Sequence, residues 1–144
     1  MAPSPLEIAA RALAHRDRSE ADLLRILRRK GVSEVDAAEA VTTLRGAGAI
    51  DDDRFAYAAA EALARRGYGD EAIVFRLRRD GLDRELALDA VARLEPECDR
   101  ATGVAAQRGA SERTARWLTS RGFARDSIEA ALAAIAETGA SELG

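Results

Sequence analysis

The sequence predicts an all-α protein built as a tandem array of helical units, and three observations carry that expectation. A helix, a glycine turn and a second helix recur around Gly31, Gly81 and Gly122, 50 and then 41 residues apart, spacings within the range of helical repeats. Each copy has a leucine four residues before the glycine (Leu27, Leu77, Leu118) and an apolar residue directly after it (Val32, Leu82, Phe123). Apolar residues then recur six, nine, ten and thirteen positions beyond, as in Ala37, Ala40, Val41 and Leu44 or Ile128, Ala131, Leu132 and Ile135, the stripe of an amphipathic helix. The units divide at 1–48, 49–94 and 95–144, each holding three helices.

Taken in order, Met1–Ser4 is a short tail and Pro5 suits the first turn of a helix through Leu6, Ala9, Ala10 and Leu13. Ser19 caps the second helix, with Glu20 and Asp22 in its first turn and Arg28, Arg29 and Lys30 in its last. Ser33 with Asp36 forms a weak capping box for the third, which runs to about Arg45 before Gly46-Ala47-Gly48.

In the second unit Asp51 reads as a helix cap, flanked by Ile50 and Phe55 at the positions of a hydrophobic staple. That helix extends from about Asp52 to Arg66, with Phe55, Ala58, Ala59, Ala62 and Leu63 inward, and Gly67-Tyr68-Gly69 breaks it. The next carries Ile73, Val74 and Leu77 and stops at Gly81; Asp83 caps the one after, with Leu86, Ala87, Ala90, Val91 and Leu94 on its stripe. Pro96 starts the first helix of the third unit, which ends near Arg108-Gly109. Ser111 caps a helix holding Trp117 and Leu118, the last helix covers roughly Arg125 to Glu137, and Thr138–Gly144 reads as a frayed tail.

Composition narrows the function. Aromatic residues make up 4% of the chain against 47% apolar overall, so the core must be aliphatic and rich in alanine, with helices in close approach. The single Cys98 excludes an internal disulfide and any site of several cysteines, and suits a reducing, cytoplasmic setting. No apolar run approaches the ~20 residues of a membrane span. Arginine outnumbers lysine 21 to 1, which we read as a coding bias. The net charge is −3, with eight basic and seven acidic residues in 1–48, eight and ten in 49–94, and six and eight in 95–144. A protein that binds nucleic acid unaided is ordinarily basic, so contact with DNA requires a local face or a protein partner.

Catalysis has little to build on. The only histidine, His15, falls at the end of a helix without a nucleophile spaced to meet it, and no phosphate-cradling glycine loop with its lysine is present. Asp51, Asp52 and Asp53 could suggest a divalent cation, but a helix start accounts for all three; no cofactor or metal is expected. Arg28-Arg29-Lys30, Arg78-Arg79 and Arg121 each precede a repeat glycine, so stacked units could present a basic stripe to phosphate or to an acidic protein surface. The alternative is that these cations only offset the helix dipole. A DNA-reading helix-turn-helix is disfavoured because the second helices open on carboxylates: Glu34 and Asp36, Asp83 and Glu85, Asp126 and Glu129. Tyr68, beside Arg65 and Arg66, either stacks on a partner or covers the edge of the core.

Asp52-Asp53-Arg54-Phe55-Ala56, then Gly67-Tyr68-Gly69 with Ile73 and Leu77, then Gly81-Leu82-Asp83, and Arg121-Gly122-Phe123 with Ile128 together closely resemble the RecX family of bacterial recombinase regulators, over nearly the whole chain. The resemblance implies an elongated, curved array of three three-helix repeats that lodges in the groove of the RecA–DNA filament and restrains its ATPase and strand exchange. Such proteins are not enzymes. It makes Arg28, Arg29, Lys30, Arg65, Arg66, Tyr68, Arg78, Arg79 and Arg121 the candidate contacts, in a monomer that meets DNA only within the filament. Asp70, Ala72 and Asp80 stand where the family commonly has Pro, Arg and Lys, which removes positive charge from the central unit. The rival readings are a stand-alone helical DNA-binding protein and a protein-only adaptor on the same scaffold.

Overall fold

A computed structural model describes residues 2–143, with side chains described through 139. Among the described residues the secondary structure is entirely helical: α1 (Pro5–His15), α2 (Glu20–Arg29), α3 (Glu34–Gly46), α4 (Asp52–Arg65), α5 (Asp70–Arg79), α6 (Arg84–Ala92), α7 (Glu97–Arg108), α8 (Glu112–Ser120) and α9 (Arg125–Leu143). Extensive helix–helix contact is confined to three groups, α1–α3, α4–α6 and α7–α9. The buried apolar residues form three matching clusters.

Local chemistry sets the helix ends. Ser19, Ser33, Asp51, Asp83 and Ser111 each accept a hydrogen bond from the backbone N–H three residues on, at 2.9–3.2 Å, satisfying one of the orphan donors of a helix start. Ser4, read as tail, does the same for Glu7 at 3.2 Å. Gly31, Gly81 and Gly122 take φ of 84°, 96° and 87°, and the residue after each donates back to the carbonyl of the repeat leucine at 3.0–3.2 Å, which closes the turn. Three expectations need correction. The inward face of α4 centres on Ala56 and Ala60, at 1% and 0% exposure, while Ala58 is exposed, because the Asp52 start turns the helix so that the 56–60 spacing meets the core. Ile50 is buried in the first cluster and Phe55 packs on the second, so Ile50 closes the first core instead of serving as a staple within the second. The last helix runs on to Leu143, because Thr138–Leu143 contains no proline and the Thr138 hydroxyl bonds back to the Ala134 carbonyl at 3.0 Å; Gly144 lies outside the described residues.

The cores are thin, as an alanine-rich chain requires. Leu23, Leu27, Ile73, Leu77 and Leu118 are the large residues that are fully buried, surrounded by Ala9, Ala60, Ala87, Ala101 and Ala105 at 0% exposure. Alanine at a helix contact lets backbones approach closely while supplying little apolar area per residue. The accessible surface is 9120 Å², whereas a compact monomer of this mass would expose about 7,200 Å². The excess is what an extended row of small units produces.

Candidate partner interface and the joints that position it

The second helices of the three units meet end to end. The turn after α8 abuts the start of α5, and the turn after α5 abuts the start of α2, so each carbonyl end lies against an N–H end. A methyl group built on Gly81 would lie 2.4 Å from the Cβ of Ala21, and one on Gly122 would lie 2.5 Å from the Cβ of Ala72. Glycine is therefore required at both joints for close approach as well as for φ.

Acids from the following unit complete each joint. Asp52, in the first turn of α4, accepts from the Glu20 N–H of α2 at 3.0 Å. Glu97, in the first turn of α7, accepts from the Asp70 N–H of α5 at 2.7 Å and from the Ala124 N–H at 2.9 Å. The Asp52 carboxyl is pushed above its ordinary range. Burial is the main cause, aided by the charges of Glu20 and Asp51 and opposed by the Glu20 N–H and Arg45. Gly69, which caps α5 without a side chain, donates its N–H to the Arg121 carbonyl at 2.8 Å.

Arginines lock the second joint. Arg100, its side chain 10% exposed, pairs with Asp70 at 2.8 Å and donates to the carbonyls of Tyr68 and Glu95 at 3.1 and 3.0 Å. Asp70, a departure from the RecX pattern, is thus half of a joint ion pair. Tyr68 is 9% exposed, its ring between Arg76 and Arg121, whose guanidinium carbons lie 4.2 and 4.1 Å from its centre, and its hydroxyl accepts from Arg76 at 3.0 Å. Arg121 also donates to the Arg66 carbonyl. Tyr68 and Arg121 are therefore components of the joint and do not stand free on the surface.

The remaining candidates are open. Arg28, Arg29 and Lys30 at the end of α2, Arg65 and Arg66 at the end of α4, and Arg78 and Arg79 at the end of α5 are all exposed. Arg28 makes only a solvent-exposed pair with Glu34 at 3.5 Å, a contact of little energetic weight. The residue that sequence reading passed over is Phe75. It is 66% exposed and, three and four positions before Arg78 and Arg79, lies on their face of α5. Its displacement from the Ile73–Leu77 stripe is a helical-wheel signal that the chain already contained.

The described residues form an all-α array of three-helix units that meet at their turn glycines and expose cations at their helix ends. The chain belongs to the RecX family of regulatory proteins. It is 33% identical to the regulatory protein RecX of Xanthomonas oryzae pv. oryzae over 138 residues, covering 89% of this chain and 86% of the relative. It is 31% identical to the regulatory protein RecX of Halorhodospira halophila, over 91% and 88% of the two chains. Residues 6–44 match the model of the first three-helix domain of RecX. The crystal structure of RecX from Lactobacillus salivarius superposes with a TM-score of 0.80 at 17% identity, covering 91% of this chain and 94% of that one, a likeness of fold.

Proposed function

We propose that this protein regulates the RecA recombinase by binding the RecA–DNA filament and restraining its ATPase and strand exchange, with no catalytic activity of its own. The observation that carries the reading is the exposed Phe75 beside Arg78 and Arg79 on the central unit. An aromatic flanked by guanidiniums, held out to solvent on a well-supported helix, has the composition of an interface hot spot. Arg28, Arg29, Lys30, Arg65 and Arg66 extend the contact along the array, where an elongated repeat can follow a helical polymer and span neighbouring subunits. Tyr68 and Arg121 serve by fixing the angle between the second and third units. Inhibition then follows from stronger binding to one filament state than to another, a shift of population.

The test is strand exchange and ATP hydrolysis by the cognate recombinase, with this protein titrated at substoichiometric amounts. Inhibition by the native chain is expected, with Phe75→Ala and the pair Arg78→Glu/Arg79→Glu each weakening it roughly tenfold or more, a loss of ~1.4 kcal/mol or greater, while circular dichroism stays unchanged. Absence of both inhibition and filament binding by the native chain would refute the proposal. Filament-independent binding of duplex DNA with a steep salt dependence would favour the stand-alone DNA-binding alternative.

A further inference from the structure

The joint between units has a polarity, and that polarity leaves one copy of it unfilled. In each internal joint the turn glycine of the later unit rests on an alanine in the first helical turn of the earlier unit: Gly81 on Ala21, the second residue of α2, and Gly122 on Ala72, the third residue of α5. At the first unit no described residue takes the place of that alanine. A methyl group built on Gly31, whose φ of 84° matches the other two, would meet no described atom within 4 Å. In front of it is a groove of about 610 Å³, bordered on one side by Ala2 and Pro3 of the N-terminal segment, whose walls include Ile8, Ala12, Ile26 and Val32, with Arg11 and Lys30 on its lining. Both cations are exposed, and among the described residues neither is in an ion pair.

We infer that the Gly31 groove is an open copy of the inter-unit joint and binds the first turn of an α-helix from another protein. That helix carries alanine, serine or glycine at its second or third position and carboxylates in the same turn. The internal joints supply the template for size, because the approach of 2.4–2.5 Å to a built methyl leaves no room on the occupant for anything larger than a small side chain at the contact. For charge they supply a pair that crosses a joint, Asp70 with Arg100 at 2.8 Å. The helix starts that receive a turn carry Glu20 and Asp22 in one case and Asp70 and Glu71 in the other, complementary to Arg11 and Lys30. A second copy of this chain does not fit through the start of α8, which opens with Glu112, Arg113 and Thr114 where alanine, serine or glycine is needed.

The site can be tested with the full-length protein labelled with ¹⁵N and a synthetic peptide of residues 19–30, held helical by a side-chain crosslink on the face away from Ala21. Saturable amide shifts at Lys30, Gly31 and Val32 are expected. A peptide with Ala21→Leu should bind roughly tenfold more weakly or worse, the scale of an overpacking cost. One with Glu20→Gln and Asp22→Asn should lose roughly threefold. Absence of saturable shifts at the Gly31 turn, shifts centred on Gly81 or Gly122, or equal binding of either modified peptide would overturn the assignment. Because the readout contains no recombinase, its failure leaves the filament proposal standing, and the converse holds.

Discussion

Gly31 and Gly122 share a left-handed backbone and differ in what surrounds it, which separates two reasons for glycine. At Gly31 only conformation is at stake, so Gly31→Ala should cost about 1–2 kcal/mol. At Gly122 the added methyl also collides with Ala72 at 2.5 Å, so Gly122→Ala should cost roughly 2–5 kcal/mol, the sum of strain and overpacking; urea unfolding of the two variants reads the difference. Asp52 offers a second test. Its folded carboxyl binds a proton more tightly than the ordinary value of 3.8, so its ionised form costs stability above the folded pKa, and that cost disappears as pH falls through the folded pKa toward the unfolded one. Asp52→Asn keeps the acceptor for Glu20 without the charge. It should match or exceed the native chain in stability at pH 7, with any advantage vanishing on acidification, whereas Asp52→Ala loses the acceptor and should cost about 1 kcal/mol at pH 7. The repeat glycines and the caps were legible in the sequence because their partners are three or four residues away. The second role of Asp52 was not, since a carboxylate in a first turn looks the same whether or not it also serves a helix 32 residues earlier.

At the scale of elements, the amphipathic stripes gave the helices and most of their inward faces; in α4 the buried pair is Ala56 and Ala60 instead of Ala58, which is exposed, and the last helix runs beyond Glu137. The joints escaped notice because they consist of polar contacts between residues far apart in the chain. Tyr68 was read against adjacent Arg65 and Arg66, yet two of its main partners are Arg76 and Arg121, and Arg100 had no local signature. Arg100→Met should test whether this polar joint holds the third unit. It removes the pair with Asp70 and the bonds to the Tyr68 and Glu95 carbonyls, a loss of about 2–4 kcal/mol for charged, largely buried contacts. Hydrogen exchange should accelerate in α7–α9 and around Gly69 while protection in α1–α3 is retained. Uniform acceleration from α1 to α9 would mean that the units unfold as one cooperative block.

For the whole molecule, surface area and contact grouping both describe a row of small cores, and solution scattering checks the shape. A compact chain of 144 residues would have a radius of gyration of about 14.5 Å; the value measured should be clearly larger. Among the described residues no helix is long and apolar enough to cross a membrane. Exposed cations at the helix ends of a chain with net charge −3 make any partner contact a matter of local fields, so association should slow as salt is added without being abolished.

The polarity of the joints also bears on how the protein is made. Glu20 receives its acceptor only when Asp52 has been synthesised, and Asp70 only when Glu97 has followed. A nascent chain leaving the ribosome therefore exposes the first and then the second unit with its second helix uncapped from outside until the next has emerged, and translation pauses near residues 50 or 95 would prolong that vulnerable interval.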